Sequence, residues 1–293
     1  MNTYRNTFIS AATFILLAAT GQAQDKVNVP LDDPSRPAVV KASVLNGGIT
    51  VKAYEGKEVV VEAKVRQEGS DRRKHGFGRD RDRDRDKDGE SSSEGMKKLN
   101  IATTGLQVEE EDNKVSVSTD SMSRTIDITI LVPSKTSLIL RSVNDGDIVV
   151  TGVDGEIDVN NTNGEVTLNN ISGNAVAHAL NGKVLVTFAR VNGKPMAFSS
   201  LNGDIDVTFP ADFKANVSFS TGQGDVFSDF DVAMAPQSTK PIVEERGKDG
   251  GGKYRVKLDK TVRGTINGGG PEIQFKNFNG GIYLRRAGSR ASQ

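Results

Sequence analysis

The chain has 293 residues, no cysteine and a balanced charge, with Lys plus Arg and Asp plus Glu at 38 each. The absence of Cys excludes disulfides, cysteine-ligated metal sites, cysteine nucleophiles and lipid attachment through an N-terminal cysteine. Because the charges balance, no net field favours nucleic acid or an anionic membrane surface, and we expect no nucleic-acid partner.

Residues 1–23 have the form of a secretory signal peptide. A short polar start containing Arg5 precedes an apolar run from Phe8 through Ala19, and small residues flank a cleavage point before Gln24. The run is too short and too weakly flanked for a committed membrane span, although an uncleaved anchor is the alternative. We therefore expect an exported protein, in the periplasm, on the outer surface or secreted, with no integral membrane span after signal cleavage.

Strand signals begin after a leader that contains several prolines. Residues 24–38 are polar and include Pro30, Pro34 and Pro37, which predicts an extended leader rather than a packed element. From residue 39 onward, short runs rich in Val, Ile and Thr alternate with turn residues, as β-strands do. The first predicted strands are Val39–Val44, Ile49–Val51 and Val59–Val65, with Asn46-Gly47-Gly48 as a tight turn.

Residues 67–95 interrupt the strands with an Arg/Asp-rich insertion. Arginine and aspartate alternate from Arg79 to Asp86, and almost no apolar side chain is present to offset the entropy of ordering. We therefore expect a disordered insertion. The alternatives are a metal-chelating acidic cluster and a basic nucleic-acid arm, but each Asp has an Arg neighbour that neutralises it.

The strands resume near residue 99 and lead into a longer one. Thr125–Pro133 alternates apolar and polar residues and is stopped by proline, which indicates a half-buried strand. The charged run Glu109–Asn113 predicts a hairpin turn. Further predicted strands are Leu99–Ala102, Leu106–Val108, Val115–Val117, Leu138–Leu140, Ala215–Ser220, Tyr254–Leu258, Thr261–Ile266 and Ile282–Leu284.

A nine-residue repeat occupies residues 143–209. Blocks such as VDGEIDVNN and TNGEVTLNN contain one Gly, usually preceded by Asn, Asp or Ser, and then alternating apolar and polar residues. Each block is one short strand and one turn, in which Gly supplies the positive φ angle that β-branched residues resist. The predicted structural turn residues are Asn46, Gly47, Gly146, Gly155, Gly164, Gly173, Gly182, Gly193, Gly203, Gly224 and Gly280.

Alternate blocks differ slightly, so the structural period is two blocks, with two strands and two turns in a coil of 18–21 residues. Stacked coils bury a ladder of Val, Ile and Leu between two sheets, which predicts an all-β fold, either a β-solenoid or an elongated stacked-sheet β-sandwich. The competing interpretation is a meander of hairpins, because Asn-Gly is also a strong hairpin signal. Residues two places before the glycines are expected to point inward, namely Val153, Ile171, Leu180, Val191 and Leu201.

Three features stand together in the middle of the chain. They are Thr125–Pro133, the following Leu138–Leu140 with Val143–Ile148, and the serial Asn-Gly-Glu-Val, Asn-Gly-Lys-Val and Asn-Gly-Asp-Ile steps. In this combination the chain resembles the bacterial putative adhesin family, a domain of unknown function nicknamed the toast-rack domain. The resemblance covers residues 39–284 and is strongest across 125–228. It implies an exported, solenoid-like envelope protein with no assigned catalytic residues, although the insertion departs from the family's usual compactness.

Calcium binding is an alternative role for the repeat, because toxin-type β-rolls share its nine-residue period with Gly and Asp. Their motif needs two glycines and an Asp two places after the second. Here one Gly usually appears, the acid follows it directly, and Lys183 and Lys194 take the acidic place in two steps. We therefore expect no bound metal and no cofactor.

A carbohydrate-active β-helix is another alternative, because Asp145, Asp147, Asp154, Glu156 and Glu165 offer the paired carboxylates that glycosidases use. Their turn positions explain them more simply, as side chains that bond their own backbone. Sugar sites also favour aromatic platforms, and the chain has no Trp and four Tyr.

The two histidines, His75 and His178, have no Ser or Cys partner at a recognised spacing, so neither a triad nor a zinc site is expected. The sequence thus predicts no catalytic residue and no enzyme. We expect a single domain over residues 39–284 with a disordered tail at 285–293. The predicted function is an adhesin-like envelope scaffold whose partner is an envelope protein or a glycan, and the alternative is a polysaccharide-binding or polysaccharide-processing β-helix protein.

Overall fold

A computed structural model describes residues 24–66, 104–120, 123–236, 241–244, 255–258 and 261–288. The predicted signal peptide, the Arg/Asp-rich insertion and residues 289–293 lie outside the described residues. The strands are β1 (Gln24–Pro30), β2 (Ala38–Asn46), β3 (Ile49–Tyr54), β4 (Glu58–Val65), β5 (Leu106–Glu111), β6 (Lys114–Thr119), β7 (Ile126–Pro133), β8 (Thr136–Asn144), β9 (Ile148–Thr151), β10 (Asp154–Asn163), β11 (Val166–Asn181), β12 (Val184–Val191), β13 (Met196–Asn202), β14 (Ile205–Phe209), β15 (Ala215–Gln223), β16 (Val226–Ser228), β17 (Val232–Met234), β18 (Pro241–Glu244), β19 (Arg255–Leu258), β20 (Val262–Ile266), β21 (Glu272–Asn279) and β22 (Ile282–Arg286).

The all-β solenoid is confirmed, and its strands form two facing layers. The front sheet has the order β5, β6, β2, β8, β10, the second half of β11, β13, β21, β15, β20 and β17. The back sheet has the order β1, β4, β7, β3, β9, the first half of β11, β12, β14, β22 and β16. The long strand β11 crosses from the back sheet to the front sheet.

One coil consists of a front strand, a turn that usually contains Asn-Gly, and a back strand. Strand β8 leads to β9 in one coil, β10 leads to the first half of β11 in the next, and equivalent strands of neighbouring coils run parallel. The hairpin meander would instead require antiparallel neighbours throughout. That interpretation is therefore wrong for the repeat, because the Asn-Gly turns connect opposite sheets rather than adjacent strands.

The coils do not stack in chain order. The coil formed by β2 and β3 lies between the strands β6 and β7 on one side and β8 and β9 on the other. In the same way, the coil formed by β21 and β22 lies between the strands β13 and β14 on one side and β15 and β16 on the other. Two segments distant in sequence are thus inserted inside the stack.

Antiparallel strands cover the ends of the stack. At one end β1 pairs with β4, which pairs with β7, and β5 pairs with β6. At the other end β20 pairs with both β15 and β17. Residues 24–38 are therefore only partly the unpacked leader expected from the sequence, because β1 is a paired strand, and Val29 within it and Leu31 just after it are buried.

The core lies between the two sheets and follows the period-two pattern of the strands. Burial alternates along β7 and β8. The core passes from Val, Ile and Leu in the first coils to a group of phenylalanines, in which Phe198 stacks on Phe275 and meets Phe209 edge to face. Val153 and Ile171 point inward, as predicted. Leu180 and Leu201 do not, because strict alternation along β11 and β13 turns them outward beside the buried Ala179 and Ser200.

Candidate interaction surface

Six asparagines form a continuous hydrogen-bonded row along the turn edge of the front sheet. Each side chain after the first donates from Nδ2 to Oδ1 of the one before it, over 3.2 Å for Asn144 to Asn46 and 2.8–2.9 Å for the other four bonds. Identical amides stack in this way when parallel strands are in register. We call this row the Asn ladder; its members are Asn46, Asn144, Asn163, Asn181, Asn202 and Asn279.

A second row of polar side chains is buried two residues before the ladder. Ser142 and Ser200 donate to the carbonyl oxygens of Gly47 and Gly182, turn glycines of the preceding coils. Asn161 and Asn277 do the same through Nδ2, while the Oδ1 atom of each is buried without a partner. Because buried carbonyls need a donor, these side chains fasten each turn to the coil before it.

The carboxylates of the turns serve the stacking of coils. Asp127, Asp147 and Asp204 each accept a hydrogen bond, over 2.8–3.0 Å, from a backbone N–H in the turn of the adjoining coil. Asp147 was expected to bond its own backbone, whereas its partner lies in the neighbouring turn. Lys194 pairs with Glu156 two coils away, so the lysines that weaken a calcium motif complete ion pairs between turns.

One guanidinium clamps the end of this row of carboxylates. Arg66 binds Asp127 with two nitrogens and donates through Nη1 to the carbonyl of Asp145 over 2.5 Å. The hydrogen bonds to Asp127 raise the pKa of Arg66 above its ordinary value, against the opposing effect of partial burial. The clamp joins the end of β4 to the start of β7 and to the turn that follows β8.

The predicted turn glycines take two different roles. Seven of the ten have positive φ: Gly47, Gly164, Gly173, Gly193, Gly203, Gly224 and Gly280. The other three, Gly146, Gly155 and Gly182, have no such φ, but a Cβ on each would overlap the backbone of the preceding coil. Gly155 and Gly173 are also inside strands β10 and β11 rather than in turns.

An apolar track runs beside the Asn ladder on the outer face of the front sheet. Leu45, Val143, Leu201 and Phe278 are 37–50% exposed, and the register of the flanking residues places the six members side by side. The track comprises Leu45, Val143, Thr162, Leu180, Leu201 and Phe278.

Phe278 ends the track as a flat surface. A Cβ on Gly222, its neighbour on β15, would lie 2.5 Å from Cδ2 of Phe278 and 2.9 Å from Cε2. The ring therefore lies across the space that a side chain at position 222 would fill. Since Phe278 is 50% exposed, part of the ring faces solvent.

A polar row lies on the other side of the apolar track. Its members in register are Ser43, Arg141, Asn160, His178, Ser199 and Lys276. Arg141 forms a two-nitrogen pair with Asp158, and Nδ1 of His178 lies 2.5 Å from Oγ of Ser199. This His–Ser pair was not predicted from the sequence, and its signal is a separation of 21 residues, one coil of the solenoid.

The His178–Ser199 pair lacks the rest of a nucleophilic site. Within the described ranges no carboxylate bonds the ring of His178, and the nearby Asp158 is held by Arg141. A triad needs an acid that orients the imidazole and free donors for an oxyanion. In the same part of the chain no group of His, Asp and Glu is arranged to hold a metal ion.

None of the described segments forms a helix of the length and apolarity that a membrane crossing requires. A family model described as Toastrack DUF4097 matches residues 100–267, more than half of the chain. No curated protein matches the chain.

Two solved structures are similar to the chain in outline. One is a "putative cell adhesion protein" from Clostridium sporogenes ATCC 15579, with 10% identity, coverage of 91% of this chain and 100% of that one, and a TM-score of 0.39. The other is a "putative adhesin" from Bacteroides fragilis NCTC 9343, with 12% identity, coverage of 89% and 96%, and a TM-score of 0.34.

Proposed function

Because the chain belongs to the Toastrack DUF4097 family, we propose that it is an exported, non-catalytic protein of the bacterial envelope, an adhesin-like interaction scaffold. Its contact surface is the outer face of the front sheet. Residues 1–23 act as a cleaved signal peptide, and residues 39–284 form one domain.

The distribution of exposed apolar side chains carries this proposal. Nine large hydrophobic residues are exposed in the described part of the chain, and five of them lie on the outer face of the front sheet. Apolar side chains grouped on one face of a protein mark an interaction surface more often than scattered ones do. The five are Leu45, Val143, Val176, Leu201 and Phe278.

The partners of the carboxylates at the turns support a scaffold rather than an enzyme. Turn carboxylates that resemble catalytic acids in the sequence, such as Asp147, are occupied by backbone donors, and Asp154 and Glu156 are paired with Arg190 and Lys194. A catalytic acid or base must instead be free to exchange a proton with a substrate. These carboxylates therefore connect coils of the stack to one another.

Two measurements test the proposal. N-terminal sequencing of the protein recovered from outside the cytoplasm is expected to begin at Gln24, and deletion of residues 1–23 is expected to retain the protein inside the cell. Recovery of the full chain from the cytoplasm only would contradict export.

Contact is tested with the purified mature protein and isolated cell envelopes. Leu201→Asp is expected to weaken envelope binding because it places a charge in the exposed apolar face. Thr187→Asp, an exposed position on the back sheet, is the matched control and is expected to bind normally. Equal loss in both variants would argue against a front-sheet contact surface.

A further inference from the structure

The Asn ladder and the apolar track form two parallel rows along the solenoid axis. Both rows have six members, one from each of six successive coils, so with strands about 4.8 Å apart they extend for roughly 24 Å. The apolar track is one side chain wide, and the Asn ladder beside it is one amide group wide. A long, narrow partner fits this shape.

The ladder keeps hydrogen-bonding capacity on its solvent side. A carboxamide has two N–H donors and an oxygen with two lone pairs. Asn163, Asn181 and Asn202 each use one N–H and one lone pair within the ladder, and all three are exposed. Every internal rung therefore offers one donor and one acceptor to a ligand.

Neither row contains a charged side chain. In the polar row beyond the track, Asp158 neutralises Arg141, and Lys276 is the one other charged member. Lys183 and Asp204 at the turns have opposite signs. An anionic polymer gains little Coulomb attraction from such a surface. The chemistry favours a neutral ligand with alternating apolar and hydroxyl surfaces.

We propose that the apolar track and the Asn ladder bind a neutral, linear glycan that runs along the solenoid axis, with one sugar ring stacked on Phe278. This rests on the proposed function, of which it specifies the partner. Sugar hydroxyls bond the free N–H and lone pair of successive rungs, and the C–H faces of the rings contact Leu180, Leu201 and Phe278.

Other occupants fit the geometry less well. An extended peptide repeats every 3.2–3.4 Å, out of step with rungs about 4.8 Å apart, whereas an extended glycan advances by a comparable distance for each ring. A second copy of the chain would need about 800 Å² of contact from each partner, more than a strip one side chain wide provides.

Phe278 and Gly222 give the sharpest test. Gly222→Ala involves no positive φ, and its Cβ would displace the Phe278 ring. Binding of neutral hexasaccharides of glucose, mannose and N-acetylglucosamine to the mature protein is measured by titration calorimetry. At least one is expected to bind, and Phe278→Ala is expected to weaken its binding about tenfold, the loss of one aromatic contact.

Gly222→Ala is expected to weaken binding to a similar extent, and the double variant no further than either single one, because both changes remove the same surface. Phe227→Ala is the matched control, since Phe227 is 52% exposed but lies on the back sheet. It is expected to bind as the unaltered protein does.

Three results would overturn the proposal: no binding of any neutral hexasaccharide at millimolar concentration, binding of charged glycans only, or an equal loss in Phe227→Ala. They are distinguishable from failure of the proposed function. If the protein binds envelopes but no glycan, only the proposal of a glycan partner is wrong. If the protein is found only in the cytoplasm, the proposed envelope function is wrong, but the titration of purified protein with glycans remains a valid test of the glycan site.

Discussion

At the scale of single residues, the asparagines of the turns join neighbouring coils side by side. Each internal member of the Asn ladder both donates to one coil and accepts from the next. A neutral hydrogen bond contributes roughly 0.5–1.5 kcal/mol, and exposed ones lie at the lower end of that range. The ladder therefore adds modest energy at each rung, but at every rung of the stack.

Asn181→Ala removes two ladder bonds, those to Asn163 and from Asn202. We expect the free energy of unfolding to fall by about 1 kcal/mol. Asn169→Ala is the control, because Asn169 is exposed on the back-sheet part of β11 and its side chain makes no bond within the described residues. Chemical denaturation measures both, and equal losses would show that the ladder adds nothing.

Arg36 joins the loop between β1 and β2 to the turn between β5 and β6. Arg36 donates to Asp112 and pairs with Asp33. Its hydrogen bond is the main cause of the lowered pKa of Asp112, whereas Ser35 is the main cause of the lowered pKa of Asp33. Arg36→Gln should therefore raise the pKa of Asp112 more than that of Asp33, as carboxyl NMR titration would show.

The sign of the linked stability follows from these lowered values. A carboxyl whose folded pKa lies below its unfolded pKa stabilises the fold above the unfolded value and loses that contribution as the pH falls through the folded value. The Arg36 cluster thus contributes at neutral pH and fades in acid below about pH 4. Arg36→Gln should flatten this part of the stability profile, and an unchanged acid limb would contradict the assignment.

At the scale of elements, the turns matter because coils touch there backbone to backbone. A Cβ on Gly182 would overlap the carbonyl oxygen of Gly164 in the preceding coil. Gly193 has positive φ but open space around its Cα. At Gly182 a side chain is excluded by the stacking of coils, whereas at Gly193 it is disfavoured only by the backbone conformation.

Gly182→Ala should cost about 3 kcal/mol, because backbone on both sides prevents relaxation. Gly193→Ala should cost about 1 kcal/mol, the strain of a left-handed residue alone. Thermal unfolding of the two variants gives the comparison. A larger loss for Gly193→Ala would mean that φ rather than coil stacking governs these turns.

The strands and coils were predictable from the sequence because their signals are local. Ladder bonds link residues 18, 19 and 21 apart within the repeat, in agreement with the predicted coil of 18–21 residues. The predicted inward direction of Leu180 was wrong, because a residue next to a turn points inward or outward according to which sheet its strand joins. The Phe278 surface depends on Gly222, 56 residues earlier by number, and has no local signal.

At the scale of the whole molecule, the two inserted coils join distant parts of the chain. Asn46 pairs in register with Asn144, and Asn202 with Asn279. No pattern within either segment reveals such long-range pairing, so the sequence predicted the coils without their order. Because of these insertions, segments near the two ends of the sequence form interior coils of the stack, and the stack depends on their contacts.

A chain ended after residue 271 would lack β21 and β22, an interior coil rather than an end of the stack. Buried Phe198, Phe219 and Val207 would lose their neighbours, and we expect loss of cooperative unfolding. Deletion of β1 is the control, since it removes a covering strand only. Circular dichroism on heating distinguishes the two, and a cooperative transition in the chain ended after 271 would contradict the dependence.

The Asn ladder also bears on chemical ageing. Five of its members precede glycine, and an Asn-Gly pair loses ammonia when the glycine nitrogen attacks the side-chain carbonyl, a common thermal lesion. In the stack those nitrogens donate to carbonyls of adjoining coils, as Gly164 does to Asn181 and Gly182 does to Asn202. Closed coils thus slow deamidation, and each conversion would set a carboxylate against a neighbouring amide oxygen. The working lifetime of the folded chain then depends on how seldom its turns open.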